Sequence, residues 1–474
     1  MTHIHSSSGI APGHSKAFSP AVRRRLVRLI IVSLLLPLSF EIANIRFTPS
    51  LLLMIALAPF LFQQYLSGVV RWRAPDLLFL LYILWQALTI LLNNPERFVT
   101  FTGQQTLLTL AGYLAGRLLV LEKQDFISFI LFWAAASMVS VPFAMYEAIR
   151  DDPIILRMIL DYTPFGSMRL NDYEPRLGLY RAQFVFVHPI HYGLMGALVL
   201  MPYWLGLASQ IAAAKRTLGA LLIFLATFLS VSSGAVLSIA LQVGVFISHR
   251  IAALMGPPWR ILLASGAVFY LVVELLSNKS AFAAISGRLA FNSATAYYRT
   301  LIWEYGSAQV MRTPIFGNGY NYWARPFWMT NSSVDNHWLL LAMVHGLPAL
   351  VLFASSLLYA FFAVNRIKLF GDTELDRMRL AWTLALIGFC MSASTVAIWG
   401  EIQMFFMLLF GAGFWLASTG PGNAQETTEN LEETSRHLPY SRYSTRRSGD
   451  AEQRRPARVS SSRRVPNQFS RKDI

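Results

Sequence analysis

Long apolar runs recur along most of this chain, and they constrain its fold more than any other feature. A helix that crosses the hydrocarbon core of a bilayer needs roughly 20 apolar residues. Since 55% of the 474 residues are hydrophobic and only 14% are charged, the composition also fits a bilayer protein. The apolar runs lie at 26–45, 49–67, 75–93, 102–120, 126–148, 184–208, 217–231, 233–249, 259–277, 336–364, 379–398 and 400–418.

These runs predict an all-α, polytopic integral membrane protein with about twelve transmembrane helices. Residues 217–249 could form one overlong helix, but "SVSSG" at 230–234 favours two short helices joined by a tight turn. The first run is followed by further runs and lacks a small-residue cleavage site, so we interpret it as an anchor and not as a cleaved signal peptide. Gly346 and Pro348 are expected to kink the helix at 336–364.

The positive charges predict the orientation of the helices, because Lys and Arg in short loops stay on the cytoplasmic side. They fall in alternate connections, which places both termini in the cytoplasm and segments 149–183 and 278–335 outside. The residues concerned are Arg23, Arg24, Arg25, Arg28, Arg71, Arg73, Lys123, Lys215, Arg216, Arg250, Arg260, Arg366, Lys368, Arg377 and Arg379.

The chain thus divides into seven predicted segments. They are a cytoplasmic N-terminal segment (1–25), N-terminal transmembrane helices (26–148), a first outer loop (149–183), central transmembrane helices (184–277), a large outer loop (278–335), C-terminal transmembrane helices (336–418) and a cytoplasmic tail (419–474).

The tail is rich in Ser, Pro, Arg and Glu, which predicts disorder. Its basic residues favour contact with anionic membrane lipids. Nucleic-acid binding is not expected, because the tail offers neither a folded reader nor interleaved aromatic residues. The single cysteine, Cys390, excludes a disulfide within the chain and a thiolate metal site.

The two outer loops are longer than the roughly 15 residues that a simple connection needs, which indicates function. In the large loop, Tyr298, Leu301, Ile302 and Tyr305 recur at helical spacing and predict a short amphipathic helix at the membrane surface. "GNG" at 317–319 is interpreted as turn geometry.

Arginine is frequent in both outer loops, on the side where orientation does not require it. Guanidinium binds phosphate in a bidentate manner and keeps its charge in a half-dry site, so a phosphate-bearing ligand is indicated. The alternative is that each arginine pairs with a local acid or reaches lipid headgroups. The set comprises Arg150, Arg157, Arg169, Arg176, Arg181, Arg288, Arg299, Arg312 and Arg325.

Three polar residues, Asp335, Asn336 and His337, stand where the large loop enters a membrane helix. A structural alternative exists for each. "SSVD" at 332–335 fits a capping box closed by Asp335; Asn336 could satisfy backbone groups, and His337 could join Trp338 in an aromatic belt. His188 and His191 lack an evident third ligand, so we expect them to fix a turn and predict no metal site.

Four stretches in this order resemble the O-antigen ligase and polysaccharide polymerase superfamily. They are "EPRLGLYRAQFVFVHPIHYGLMGALVL" (174–200), "SVSSGA" (230–235), "YYRTLIWEYGSAQVMRTPIFGNGYNYW" (297–323) and "SSVDNHWLLLAMVHGLPAL" (332–350). Members are multi-span bacterial inner-membrane glycosyltransferases that use undecaprenyl-diphosphate-linked glycans. The form of the motifs is most similar to that of exopolysaccharide polymerases.

The resemblance implies site residues as well as an activity. Arg176 or Arg181, Arg299, and Asp335 with Asn336 match positions that converge on the lipid diphosphate and the acceptor sugar in the family. Arg288 is a further candidate because of its proximity in the sequence. Ligases usually carry His-Asn where this chain has Asp335 and Asn336, which leaves His337 as a displaced substitute.

The expected partners are an undecaprenyl-diphosphate-linked oligosaccharide, membrane lipids and a chain-length regulator, with no cofactor and no nucleic acid. The expected site faces the periplasm. A ligase that transfers the glycan to lipid A core is the first alternative, and a flippase of lipid-linked sugars is the second. Transporters commonly show internal repeats, and none is evident in this sequence.

The chemistry of glycan transfer, considered without the resemblance, favours the same residues. A sugar hydroxyl must attack an anomeric carbon while a diphosphate departs, and either a metal or fixed cations must hold the leaving group. The outer segments hold no DxD-like acidic pair apart from Asp151 and Asp152. We therefore expect a metal-independent, inverting reaction with Arg299 and Asp335 as catalytic groups, Asp335 acting as the base.

Overall fold

The computed structural model describes residues 17–42, 45–166, 170, 173–276, 293–329, 331–367, 369 and 371–418. Within them the protein is mostly helical, as the sequence predicted. Three predictions fall outside the described residues: the N-terminal segment up to residue 16, the candidate Arg288, and the tail 419–474.

The helices follow one another in a simple order. They are α1 (Pro20–Leu35), α2 (Pro49–Leu66), α3 (Ala74–Asn93), α4 (Gln104–Leu119), α5 (Lys123–Val139), α6 (Val141–Arg150), α7 (Ile154–Tyr162), α8 (Pro189–Met201), α9 (Ala213–Leu229), α10 (Ser233–Ala252), α11 (Pro258–Leu276), α12 (Ser293–Arg312), α13 (His337–Asn365), α14 (Thr373–Ala393) and α15 (Gly400–Ala412).

Six helical segments of the described chain are long and apolar enough to cross a membrane. This supports a membrane protein with transmembrane helices. Several of the other helices are apolar but shorter, α8 and α9 among them. The six segments are Pro49–Leu66, Ala74–Asn93, Lys123–Arg150, Ser233–Ala252, His337–Asn365 and Gly400–Ser418.

Two predicted helices have different bounds in the structure. The first was expected to run to residue 45, but α1 ends at Leu35 and a hairpin of β1 (Phe40–Ile42) and β2 (Ile45–Phe47) follows. Pro37 explains the early end, since proline disfavours helical backbone in the residue before it. The helix expected at 126–148 is divided at Ser140 into α5 and α6, with Pro142 in the first turn of α6.

The region 217–249 forms two helices, as predicted. α9 ends at Leu229 and α10 begins at Ser233. Between them Val231 has a positive φ of 41°, which reverses the chain within a few residues.

The bundle has two chemically distinct ends. At the first, which we call the basic end, Arg23 Nη2 lies 2.7 Å from Asp125 Oδ2 and Lys123 Nζ lies 3.0 Å from Glu374 Oε2. These pairs join the beginnings of α1, α5 and α14. At the opposite end, the loop end, Asn94 after α3 donates to Asn321 Oδ1 at 2.9 Å. The long connections 163–188 and 313–336 therefore lie away from most of the short basic ones.

Small residues let α4 and α15 approach closely. A Cβ added to Gly116 would lie 2.2 Å from the carbonyl oxygen of Leu408, and one added to Gly411 would lie 2.3 Å from the carbonyl oxygen of Tyr113. Backbone contact of this kind is how apolar helices associate where lipid removes the hydrophobic driving force.

A buried ion pair fixes α3 to α4 near the basic end. Arg117 Nε lies 3.1 Å from Asp76 Oδ1, and both side chains are almost inaccessible to solvent. Asp76 also accepts hydrogen bonds from the hydroxyl of Tyr113 and from the backbone N–H of Arg73. The carboxylate thus balances the arginine and caps the start of α3.

We predict that Asp76→Asn lowers the free energy of unfolding by about 3 kcal/mol, because it leaves Arg117 buried without a counter-charge. The matched control is Asp376→Asn, which removes the carboxylate of an exposed pair with Arg379 and should change stability by about 0–1 kcal/mol. Thermal unfolding in detergent measures both. Equal melting temperatures would show that the buried pair contributes no more than a surface pair.

Candidate functional site

A loop from the large connection is inserted into a break in α13. Gly346 has φ 79° and ψ 171°, so the helix is interrupted there, as predicted. Asn318 N–H donates to the carbonyl oxygen of Met343 at 2.7 Å, and Gly319 N–H donates to that of Val344 at 3.0 Å. Both Gly317 and Gly319 have positive φ, which confirms the turn geometry. The inserted loop thus donates hydrogen bonds to carbonyl groups that the break in the helix leaves free.

Asn336 is the N-cap of α13. Its Oδ1 accepts a hydrogen bond from Leu339 N–H at 3.0 Å. The capping box proposed for 332–335 is therefore wrong, because the helix begins after Asp335. That residue lies just before the cap, half-buried, and accepts a hydrogen bond from Ser333 Oγ at 2.9 Å.

His337 is buried between α13 and the connection 394–399 that joins α14 to α15. Its backbone N–H donates to the carbonyl oxygen of Val396 at 3.2 Å, and its Nδ1 accepts from Ile398 N–H at 3.4 Å. The ring of His337 thus packs inside the protein, and an aromatic belt at the surface does not describe its position.

Arg181 lies in a loop that a carboxylate of α6 holds in place. Gln183 N–H and Phe184 N–H each donate to Glu147 at 2.9 Å, one to each carboxylate oxygen. The Arg181 guanidinium carbon stands 4.8 Å from the ring centre of Tyr173. The loop is therefore held by Glu147, and the Arg181 side chain is held by its contact with Tyr173.

Arg176 occupies the turn that precedes this loop. It exchanges two backbone hydrogen bonds with Leu179, of 2.9 and 3.0 Å, and the two residues between them, Leu177 and Gly178, both have positive φ. This is the geometry of a two-residue hairpin turn. The Arg176 side chain is half-buried.

Arg299 projects from α12 into the protein and is only 9% exposed. Its Nη2 donates to the carbonyl oxygen of Thr395 at 3.1 Å, whereas its Nε is buried without a hydrogen-bond partner among the described residues. Burial lowers the pKa of Arg299, Asp335 opposes this shift, and the positive charge of Arg176 adds to it. The charges of Arg176 and Asp335 therefore both act on Arg299.

The three arginines have no acidic partner among the residues that the structure describes. Burial lowers the pKa of Arg181 to about 10, and the charge of Arg176 contributes to the shift. Within the described residues no acid forms an ion pair with Arg176, Arg181 or Arg299, whereas Arg157 pairs with Asp152 at 3.0 Å. The local-acid alternative thus holds for Arg157 and not for the other three. Neighbouring, poorly neutralised guanidinium groups favour binding of an anion.

A cavity of about 560 Å³ lies beside the connection 394–399 that binds Arg299, although none of the three arginines lines it. It opens between α3, α4, α13 and the start of α15. Ile398 and Trp399 line the cavity, and so does Val187 of the first loop. The first two residues follow Thr395, whose carbonyl oxygen binds Arg299. Among the predicted site residues, His337 lines this cavity.

Sequence reasoning missed most polar residues of the cavity. Their signal was present, because a polar residue inside an apolar run is costly in a membrane and usually functional. This signal alone could not identify the cavity, since nothing in the sequence shows that residues from four distant helices meet. The missed residues are Gln86, Gln105, His345, Glu401 and Gln403.

The histidine pair at the start of α8 has a structural role in this fold. His188 is the N-cap, and its Nδ1 accepts from Ile190 N–H at 3.0 Å. The ring of His191 packs against Trp399, with ring centres 4.4 Å apart. Across the described part of the chain, no three His, Cys, Asp or Glu side chains are grouped so that they could hold a metal ion.

Fold and site define a helical membrane protein with an arginine cluster and a polar cavity at one end. Comparison of the whole chain with protein-family models and with curated proteins finds no match. The resemblance to O-antigen ligases and polysaccharide polymerases therefore rests on the quoted sequence stretches.

Proposed function

We propose that this protein is a bacterial inner-membrane glycosyltransferase that polymerises undecaprenyl-diphosphate-linked oligosaccharide repeat units at the periplasmic face. One observation carries the proposal. Arg176, Arg181 and Arg299, none of which forms an ion pair with an acid among the described residues, lie near a cavity at the end of a membrane bundle where a lipid-linked substrate would present its diphosphate. The lipid tail would stay in the bilayer while the sugar entered the site.

The orientation belongs to the same proposal. Lys and Arg residues gather at the basic end, which the positive-inside rule assigns to the cytoplasm. The loop end then faces the periplasm, and about twelve crossings bring both termini to the cytoplasmic side. Shorter helices also serve as crossings in this arrangement, among them α8, which is almost wholly buried, and α9, which has one exposed face.

The reaction explains why fixed cations are needed. A hydroxyl oxygen of the acceptor sugar forms a bond to the anomeric carbon of the donor, while the bond from that carbon to the diphosphate oxygen breaks. The electron pair leaves with the lipid diphosphate, and the hydroxyl proton passes to a base. One displacement inverts the anomeric carbon. Arg176, Arg181 and Arg299 would stabilise the charge that accumulates on the leaving group.

The remaining candidates surround this cluster. Arg288 is a further diphosphate ligand in the proposal, placed by the sequence alone. Asn336 caps α13 and so positions His337 at the cavity wall. The sequence predicted Asp335, whose charge acts on Arg299, as the base.

The test is the surface glycan of a strain that lacks this gene, with exopolysaccharide and lipopolysaccharide separated by size. We expect long polymer to disappear, single lipid-linked repeats to accumulate on the periplasmic side, and a plasmid copy to restore the chains. Polymer that forms on the carrier but never reaches lipid A core would indicate a ligase. Repeats that accumulate on the cytoplasmic side would indicate a transporter, and unchanged glycans would overturn the proposal.

A further inference from the structure

The cavity beside the arginine cluster contains a carboxylate that has no assigned role. Glu401 lies in the first turn of α15, directly after the extended residues that line the cavity wall. Its Oε2 is inaccessible to solvent and has no hydrogen-bond partner among the residues that the structure describes. The nearest opposite charge that acts on it is Arg46. A buried carboxylate oxygen without a donor is costly unless a ligand supplies one.

Two histidines of α13 complete a complementary set of groups. His337 Nδ1 accepts from Ile398 N–H, so its proton is on Nε2. The Thr89 hydroxyl lies 2.9 Å from the carbonyl oxygen of Gln86 and 2.7 Å from His345 Nδ1, and at the second contact either atom can be the donor. Both histidines line the cavity, and His337 offers it a donor.

Amide and aromatic side chains supply the rest of the lining. Gln105 and Gln403 are hydrogen-bonded to each other, and Gln403 continues to Thr109 at 3.0 Å. Tyr82 lines the same space. Alternating donors and acceptors beside an aromatic ring suit a molecule with several hydroxyl groups and apolar ring faces. A volume of about 560 Å³ lies within the usual range of small-molecule sites and has room for one or two sugar rings.

We propose that this cavity binds the acceptor sugar and that Glu401 is the base that removes the proton from its attacking hydroxyl. This inference rests on the proposed glycosyl transfer. The acceptor oxygen bonds to the donor's anomeric carbon, its proton moves to a Glu401 oxygen, and the bond to the lipid diphosphate breaks with its electron pair held by the arginines. In this proposal Asp335, which does not line the cavity, is not the base, and its charge acts on Arg299.

The test uses full-length protein purified in detergent and the lipid-linked repeat extracted from the strain that lacks this gene. We expect Glu401→Gln to lower the initial rate of chain extension by about 100-fold or more, the usual contribution of a general base. Farnesyl diphosphate should still raise the melting temperature of this variant as it does for the parent protein. Asp335→Asn should retain more activity than Glu401→Gln.

Two further variants keep the test decisive. Glu401→Asp should recover part of the rate, and it should retain the fall in rate at low pH that the Gln variant lacks. Glu304→Gln removes an exposed carboxylate on α12 outside the cavity lining, and its rate should match that of the parent.

The outcomes separate the inference from the proposed function. If Glu401→Gln extends chains within about threefold of the parent rate, or if only Asp335→Asn is inactive, Glu401 is not the base although glycosyl transfer stands. If the parent protein itself does not extend the extracted repeat, the proposed function fails and the inference fails with it.

Discussion

Replacing Arg299 by alanine is expected to lower the rate of polymer formation by about 100-fold or more, the loss typical when one fixed donor to a developing anion is removed. Arg299 is well placed for this role because it is nearly buried, is bound through Nη2 to Thr395, and has no hydrogen-bond partner for its Nε among the described residues. Arg299→Lys should recover little of the rate, since an ammonium cannot reproduce the planar, bidentate contact. Membranes from a complemented deletion strain, supplied with extracted lipid-linked repeats, allow the measurement.

The matched control is Arg157→Ala. Arg157 also lies in a segment that the sequence predicts to be outside, but it is half-exposed and already paired with Asp152. Its removal should change the rate by less than about twofold, since exposed pairs contribute little. The role of Arg299 would be disproved if both variants lost activity equally, or if Arg299→Ala were as active as the parent at equal protein levels.

Membrane character and several local features could be predicted from the sequence because they depend on neighbours along the chain. The length of each apolar run sets whether a helix can cross a bilayer, and the break between α9 and α10 follows from small polar residues around Val231. The interruption at Gly346 was predictable for the same reason. Each of these depends on a few consecutive residues.

The ends of helices were less predictable where a proline lies within an apolar run. Hydropathy alone extends the first helix to residue 45, yet Pro37 ends it early and the following residues pair as β1 and β2. At Ser140 the run continues in composition while the helix does not. Apolar composition is shared by a straight helix and a broken one, so composition cannot distinguish them.

The candidate site was only half predictable for a different reason. Arg176, Arg299 and Asp335 were proposed from the order of their motifs, and in the structure the charges of Arg176 and Asp335 both act on Arg299. The Thr395 carbonyl and Glu401 come from the connection between α14 and α15, far along the chain. Their contribution depends on packing between helices, which no local pattern encodes.

The inserted loop offers the strongest test of the fold itself. At Gly346 the backbone has φ 79° and ψ 171°, a conformation essentially restricted to glycine. A Cβ there would lie 1.9 Å from the carbonyl oxygen of Ile315, a backbone atom that cannot move without displacing the loop. Both strain and overlap therefore oppose any larger residue. The loop they would displace carries Tyr320, which lines the cavity.

We predict that Gly346→Ala destabilises the protein by about 4 kcal/mol or more, the sum of backbone strain and overpacking. Thermal unfolding in detergent and the yield of monodisperse protein measure the effect. Gly244→Ala is the matched control, because Gly244 lies on an exposed face of α10 with no atom within 4 Å of an added Cβ. Alanine favours helix there, so its melting temperature should be unchanged or slightly higher. If the two variants have the same melting temperature, the loop is not inserted into the break of α13. The loop then does not form part of the cavity wall.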